Sequence, residues 1–346
     1  MSVLREQQRS QLPEHKELRL DTVVTGLAFL EDGTLAIAGG DGAVRLMARD
    51  GTSNLIQAHD KGAAALSLTL DIDGSGVLTG GDDGRLVRTS ASGSTATLYH
   101  AVNRQIDAIA THMRGGWRAV ASGKDIRLID RSGRVTGETA NHPSTVTGLS
   151  FNPKGKRLAA SHYGGVSLWS TTPWDKQPKR LQWKGSHIAV SWSPDGSTVM
   201  SATQEADLHG WRLADGTNMQ MRGYEIKVRS IDWARDPLML VSSGGDCVTA
   251  WRFSGGGPMG TEPVLAGRGL GRLVTTVAAH PHGPWVAAGF DDGRLALCEL
   301  HGERSLRLAP SIGSRVLSLA WSPDGGRLAS GTESGVVTLF DLGSSV

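Results

Sequence analysis

The sequence predicts an all-β fold: a closed ring of eight four-stranded antiparallel blades, that is, an eight-bladed β-propeller. Three observations lead there. A turn position recurs at Gly33, Gly74, Gly115, Gly155, Gly196, Pro237, Gly283 and Gly325, with gaps of 41, 41, 40, 41, 41, 46 and 42 residues. A unit of ~40–45 residues holding four short strands is the length of one propeller blade. Between the turns, apolar and polar residues alternate over four to six positions bounded by Gly, Pro and Asp, the pattern of half-buried antiparallel strands. Finally, the last copy lacks a fourth strand, while a strand-like segment stands unpaired at the front of the chain.

Copy 8 shows the unit most plainly. VLSLAW (316–321) alternates, SPDGG turns, RLASGT (327–332) follows, a short hairpin sits at 333–335, and VVTLFDL completes three strands. A weaker fourth strand follows in other copies, as NLIQAH after copy 1, ATLYH after copy 2, KRLQW after copy 4 and SLRLAP after copy 7. Copy 8 ends at Leu342 without one, and KELRL (Lys16 to Leu20) has the right character to supply it. Pairing of the two chain ends would then close the ring and remove the exposed edge that a linear array leaves. The expected organisation is a flexible segment over residues 1–15 and a single propeller domain over 16–346.

Composition narrows the function classes. The formal net charge is +2, from 36 basic and 34 acidic residues, which gives the chain as a whole no electrostatic grip on nucleic acid or anionic lipid. Nucleic acid is therefore not an expected partner. The N-terminus MSVLREQQRSQLPEH has no apolar run of the ~7–15 residues found in secretion signals. No stretch approaches the ~18 apolar residues of a membrane span. Cys247 and Cys298 fall in predicted strands of different blades, so no disulfide is expected, and a cytoplasmic setting fits best.

FNPKGKRLAASHYGGVSLW (151–169) and WSPDGGRLASGTESGVVTLFDL (321–342) resemble the WD-repeat propeller family, and the similarity extends over about residues 16–342. The family's tryptophan column reads Met47, Thr89, Ile129, Trp169, Trp211, Trp251, Cys298 and Phe340, and no copy carries an intact Trp-Asp pair. The resemblance implies a buried network of a His before each blade, an Asp in the hairpin between second and third strands, and the Trp. His59, His100 and His142 lie near the first position and Asp41 and Asp83 at the second, but no copy holds all three. Apolar packing is therefore expected to replace most of the network.

The resemblance also implies that the loop leading into each blade and these hairpins gather around the mouth of a central channel, where partners bind. The hairpins bring Asp41, Asp83 and Asp292, among other carboxylates, and the lead-in loops bring Arg104, Lys227, Arg272 and Arg315. An acidic ring with basic residues nearer the axis would suit a segment of mixed charge. Tight hairpins, however, need Asp and Gly whatever binds. Trp174, in STTPWDKQPKRLQWKG (170–185), reads either as a rim anchor beside basic groups or as a side chain folded back on its own blade. His187 stands in a column otherwise filled by Val24, Ala65, Ile106, Val146, Val228, Val274 and Val316. It is either a channel-lining ligand or a satisfied core histidine.

His280 and His282 could share a metal, but Pro281 separates them and a closed zinc site needs ~4 ligands. The GRGLGR stretch (267–272) opens no helix, so it lacks the context of a phosphate loop. No nucleophile elbow or metal-spaced cluster marks an enzyme, and no cofactor or metal is expected. The expected function is a non-catalytic scaffold that recognises one or more proteins, of unknown identity, at the channel mouth. The alternative is a small-ligand or metal-binding propeller using the channel around His187.

Overall fold

The computed structural model describes residues 14–139, 142–175, 177–255, 257–269, 271–302 and 304–343. The expected flexible segment at 1–15 lies outside them up to residue 13, and His15 already belongs to a strand. Copy 1 shows how a unit is built. Val24–Phe29, Leu35–Gly39, Ala43–Met47 and Ser53–Gln57 form one antiparallel sheet in chain order.

Burial decides which strands are legible in the sequence. Second strands such as Leu35–Gly39, Gly76–Gly81 and Thr198–Thr203 are buried at every residue, because a neighbouring sheet covers each face. The outermost strands Ser53–Gln57 and Thr95–His100 are mostly exposed, which is why their apolar pattern is weak.

The first strands of successive copies pack on one another around the ring axis. Their inward edges have no backbone partner, and side chains from the adjoining copy fill that role. Thr111 Oγ1 donates to the Leu70 carbonyl at 2.9 Å and Thr275 Oγ1 to that of Val316 at 2.8 Å. Ser230 Oγ and Asp232 Oδ2 accept from the amides of Val277 (3.0 Å) and Ala279 (2.9 Å). Indoles add further cross-links, with Trp192 Nε1 donating to the Ser150 carbonyl and Trp321 Nε1 to that of Ala278, both at 3.1 Å.

The expected eight separate blades are corrected to seven sheets, six of four strands and one of six. Copies 4 and 5 share the six-stranded sheet, ordered Gly148–Phe151, Arg157–Ser170, Lys179–Trp192, Thr198–Thr203, Leu208–Arg212 and Asn218–Met221. The cause is the lead-in to copy 5, which is only Lys184-Gly185-Ser186 and leaves no loop to interrupt the ladder. Pairing runs on from Leu168 opposite Lys179 to Tyr163 opposite Ser186. Gly165 makes the bend possible at φ 135°, where a Cβ would fall on the Leu181 carbonyl oxygen.

The last sheet joins the chain ends. Val316–Trp321, Arg327–Thr332 and Val336–Asp341 are completed by His15–Arg19, with His15 opposite Phe340 and Arg19 opposite Val336. Gly335 seals this closure at φ 85°, against the carbonyl oxygens of Leu20 and Thr22. Its own carbonyl accepts from the Leu20 amide at 2.9 Å. Gly335→Ala adds a Cβ at a left-handed position with no space for it, and is expected to destabilise the protein by ~2 kcal/mol or more. Urea unfolding together with amide exchange of residues 15–19 checks this, and faster exchange confined to that strand is the expected signature.

The polar network survives more than the sequence suggested, with altered members. In copy 2, His59 binds Asp83 through Nδ1 (3.0 Å) and Thr79 through Nε2 (2.9 Å). In copy 4, Trp169 Nε1 donates to His142 Nε2 at 3.1 Å, and His142 Nδ1 faces the Lys124 carbonyl at 3.0 Å. In copy 6 a tyrosine takes the histidine's place: Trp251 Nε1 donates to Tyr224 Oη (2.9 Å), which bonds Ser242 Oγ (2.8 Å). Expecting apolar replacement overlooked that Tyr, Thr and Ser offer the same donor and acceptor geometry.

Candidate functional site

Six backbone bonds tie hairpins to lead-in segments on one face of the ring. Gly40 N reaches the Val23 carbonyl (3.0 Å), Asp82 N that of Ala64 (3.1 Å) and Gln204 N that of Ser186 (2.8 Å). Ser243, Asp291 and Glu333 do the same with Ser230, Leu273 and Arg315, at 2.9–3.0 Å. Each of these hairpins is therefore fixed against the lead-in of its own copy, and the charges the two kinds of segment carry can be placed one by one.

The three hairpin carboxylates are engaged in their own turns. Asp41 takes Arg45 at 2.6 and 3.3 Å and the Ala43 amide at 3.2 Å, and the Arg45 hydrogen bond holds its carboxyl below the usual range. Asp83 accepts from His59 and from the amides of Asp60 (3.1 Å) and Arg85 (3.0 Å). Burial alone would raise its pKa, but these donors outweigh burial and lower it. Asp292 pairs with Arg272 (3.3 Å) and Arg294 (3.0 Å). Turn chemistry accounts for all three positions.

The four basic residues divide into two pairs. Arg104 is neutralised by Asp125 at 2.8 Å, and Arg272 by Asp292. Lys227 and Arg315 form no side-chain hydrogen bond or ion pair among the described residues, and Arg315 is exposed. Arg229, which sequence reasoning missed, joins them: it is exposed and forms no side-chain hydrogen bond or ion pair among the described residues. The signal was available in its column, one place after Val228. There the other copies have Thr25, Leu66, Asp107, Thr147, Ile188, Thr275 and Leu317, and only copy 6 has a cation.

Apolar exposure concentrates on the same face. Of the nine large hydrophobic side chains left exposed among the described residues, Leu66, Val102, Tyr163, Ile312 and Leu317 lie on lead-in loops, a hairpin tip or the mouth end of inner strands. Single exposed hydrophobics carry no meaning, but Ile312 and Leu317 flank Arg315 within the same copy.

Two candidates are corrected. His187 does not line a channel. It is fully buried, Nδ1 lies 2.7 Å from Ser201 Oγ and Nε2 3.2 Å from the Trp183 carbonyl, and its whole column is core, from Val24 to Val316. Both ring nitrogens are thus committed, with Nε2–H donating to the carbonyl and Nδ1 accepting from the serine in the neutral ring. Trp174 is not a free rim anchor. Its ring stacks on Trp169 at 5.2 Å and 1°, covers Gly137, and donates from Nε1 to the Glu138 carbonyl at 3.1 Å.

His280 and His282 point at the next copy's turn, Nε2 of each facing the carbonyl of Gly325 (3.1 Å) or Pro323 (2.8 Å). The metal reading therefore loses its two ligands to inter-sheet hydrogen bonds. The Cys247 and Cys298 thiols are free and buried, and burial pushes them up to about 11 and about 12.

Buried imidazoles make the ring acid-sensitive. Desolvation pushes His142 and His209 down to about 4, and lowers His162, His187 and His280. Each is easier to protonate in the unfolded chain, near 6.5, than in the fold. The unfolded state therefore binds the extra proton first, and stability falls as pH drops from 6.5 towards 4. His142 and His209 should each contribute a loss of about 2 kcal/mol by pH 5. Urea unfolding at pH 7.5 and pH 5.0 measures it, and equal stabilities would contradict the neutral assignment.

Comparison with known proteins agrees with this architecture. The profile described as WD domain, G-beta repeat matches residues 6–46 and 133–170, and that of the anaphase-promoting complex subunit 4 WD40 domain matches residues 280–345. With the sheet ring described above, these matches support a likeness to the WD-repeat β-propeller family. Among curated proteins it is similar to autophagy-related protein 16 of Arabidopsis thaliana, 24% identical over 292 residues. That match covers 82% of this chain and 57% of the relative, so the chain spans little more than half the plant protein's length. A 66-residue stretch is 39% identical to ribosome biogenesis protein BOP1 of Homo sapiens, covering 19% of this chain and 9% of that protein. Among solved structures, the computationally designed Ika8 protein superposes with a TM-score of 0.76 at 19% identity, over 93% of this chain and 97% of that one. A chain of the mitotic checkpoint complex gives 0.63 at 15% identity, over 99% and 96%. At these identities the two structures show the fold alone.

Proposed function

We propose that the protein is a non-catalytic interaction scaffold that recognises a protein segment at the mouth face, over the arc formed by copies 6 to 8. The observation that carries this reading is the set of unpaired cations Lys227, Arg229 and Arg315 on a face that also leaves Ile312 and Leu317 exposed. Cations without partners stay in water until something covers them, and apolar neighbours make covering them favourable. An acidic segment with apolar side chains fits that surface. A rigid sheet scaffold presents it with little ordering cost.

The relatives support protein partners in general terms: a chain of a checkpoint complex shares the fold, and a family profile comes from a subunit of another complex. The test is affinity capture by the intact chain from its source cell, repeated with Lys227→Glu/Arg229→Glu/Arg315→Glu. A partner recovered by the first and lost by the second supports the assignment, and recovery by both contradicts it.

A further inference from the structure

We propose that the outer side of copy 4, from the turn at Lys154 up to the lead-in at Lys184, is a second docking strip, which takes an extended acidic protein segment. Residues 142–186 hold seven basic side chains and one acid, Asp175, a net +6 in a chain whose total is +2, leaving −4 for the remainder. Six of the seven are described, Lys154, Lys156, Arg157, Lys179, Arg180 and Lys184. All are exposed, and none forms a side-chain hydrogen bond or ion pair among the described residues. Asp175 does not neutralise them, since it accepts from the Ser170 amide at 2.7 Å.

The geometry is that of a strand edge. Lys179 to Gln182 pairs inward with 165–168 and takes no strand on its outer side among the described residues. Lysines on an edge can serve only to repel other strands. The other outer strands do not gather cations in this way: SNLIQ, TATLYH, NMQM and VLA of copies 1, 2, 5 and 6 carry no Lys, Arg, Asp or Glu, VTGET of copy 3 carries only Glu138, SLRLA of copy 7 only Arg307, and the closing strand HKELR offsets Lys16 and Arg19 with Glu17. Repelling strands would not explain Lys154 and Lys156 either, which sit in a turn beyond the edge. The Lys156 carbonyl accepts from the Thr171 amide at 3.1 Å, so this turn adjoins the Lys179 end of the strand. At ~3.3 Å per residue the cations from Lys179 to Lys184 span roughly 16 Å, the reach of a five-residue strand.

At its upper end the strip opens into a cavity of about 390 Å³ lined by Pro143, Arg180, Trp183 and Lys184, among others. An added strand would satisfy the edge's free backbone groups and set carboxylates against Arg180 and Lys184, two exposed positions on one strand face. A single-stranded nucleic acid would want open aromatic faces to stack on. Among the tyrosines and tryptophans of residues 142–186 only Tyr163 offers an exposed face, a single one, because Trp169 and Trp174 stack on each other and Trp183 stacks on His209 at 3.8 Å.

The experiment uses fluorescence anisotropy with a labelled ten-residue peptide alternating Glu and Thr. Its Gln-Thr counterpart and a ten-nucleotide single-stranded DNA are the comparison probes. The intact chain is expected to bind the Glu peptide at least tenfold more tightly than the Gln peptide, with affinity falling as salt rises. Lys179→Glu/Arg180→Glu/Lys184→Glu should lose that preference, and Lys154→Glu/Lys156→Glu, whose substitutions lie off the strand, should weaken it. The mouth variant Lys227→Glu/Arg229→Glu/Arg315→Glu should bind the peptide as the parent does, which separates this strip from the proposed mouth function. No preference for the Glu peptide, binding by the strand and turn variants equal to that of the parent, or tighter binding of the DNA would each overturn the proposal.

Discussion

Asp71→Ala is expected to destabilise the protein by ~3–5 kcal/mol, because it strands a buried cation. The Asp71 carboxylate is fully buried between copies 2 and 3 and accepts from Arg118 through Nε (2.6 Å) and Nη2 (2.9 Å), and from Arg88 Nε at 2.6 Å. Burial by itself would raise its pKa, but the two guanidinium groups and the Ile72 amide outweigh burial and lower it. Arg118 is itself buried, and its remaining contact is the Asp130 carbonyl at 3.1 Å. Removing the carboxylate leaves that charge without a counter-ion in a low-dielectric seam. Arg118→Met should cost less, since Asp71 keeps Arg88, and Asp71→Ala/Arg118→Met should cost less than Asp71→Ala alone. Urea unfolding of the three variants measures this. If the double variant were the least stable, the charge argument would fail and packing volume would have to explain the site.

The ring was legible in the sequence because turn positions recur where geometry demands them and second strands are buried on both faces. The closure was legible for a related reason: Leu342 ends a copy one strand short, and Leu18 alternates with charged neighbours as an outer strand does. The merging of copies 4 and 5 was not, since spacing counts turns and not the loop length between sheets. Gly185 keeps the period while letting the ladder run through. At the site, the identity of Arg104 and Arg272 as basic lead-in residues was visible, but their neutralisation by Asp125 and Asp292 depends on side-chain reach. His187 looked exceptional in an aliphatic column. The structure makes it ordinary core, because Ser201 and the Trp183 carbonyl supply what an imidazole needs. Copy 4's charge imbalance could be counted from the sequence, but its placement on one outer strand and the turn that adjoins it needed strand pairing.

Reversal of the mouth cations should have the largest effect on function. Lys227, Arg229 and Arg315 have no carboxylate partner among the described residues, so Lys227→Glu/Arg229→Glu/Arg315→Glu breaks no pair seen there and thermal unfolding should stay within about 0.5 kcal/mol of the parent. Arg104 and Arg272 differ, because reversing either sets like charges beside Asp125 or Asp292 and confuses folding with binding. Against an acidic partner, three reversed charges convert attraction into repulsion, and a loss of at least 100-fold in affinity, or about 3 kcal/mol, is expected. The decisive measurement is titration calorimetry of the captured partner against the parent and the triple variant at two salt concentrations, with circular dichroism confirming equal folding. The mouth assignment predicts binding by the parent that weakens with salt and no measurable binding by the variant. Equal affinity of the two folded proteins would contradict it.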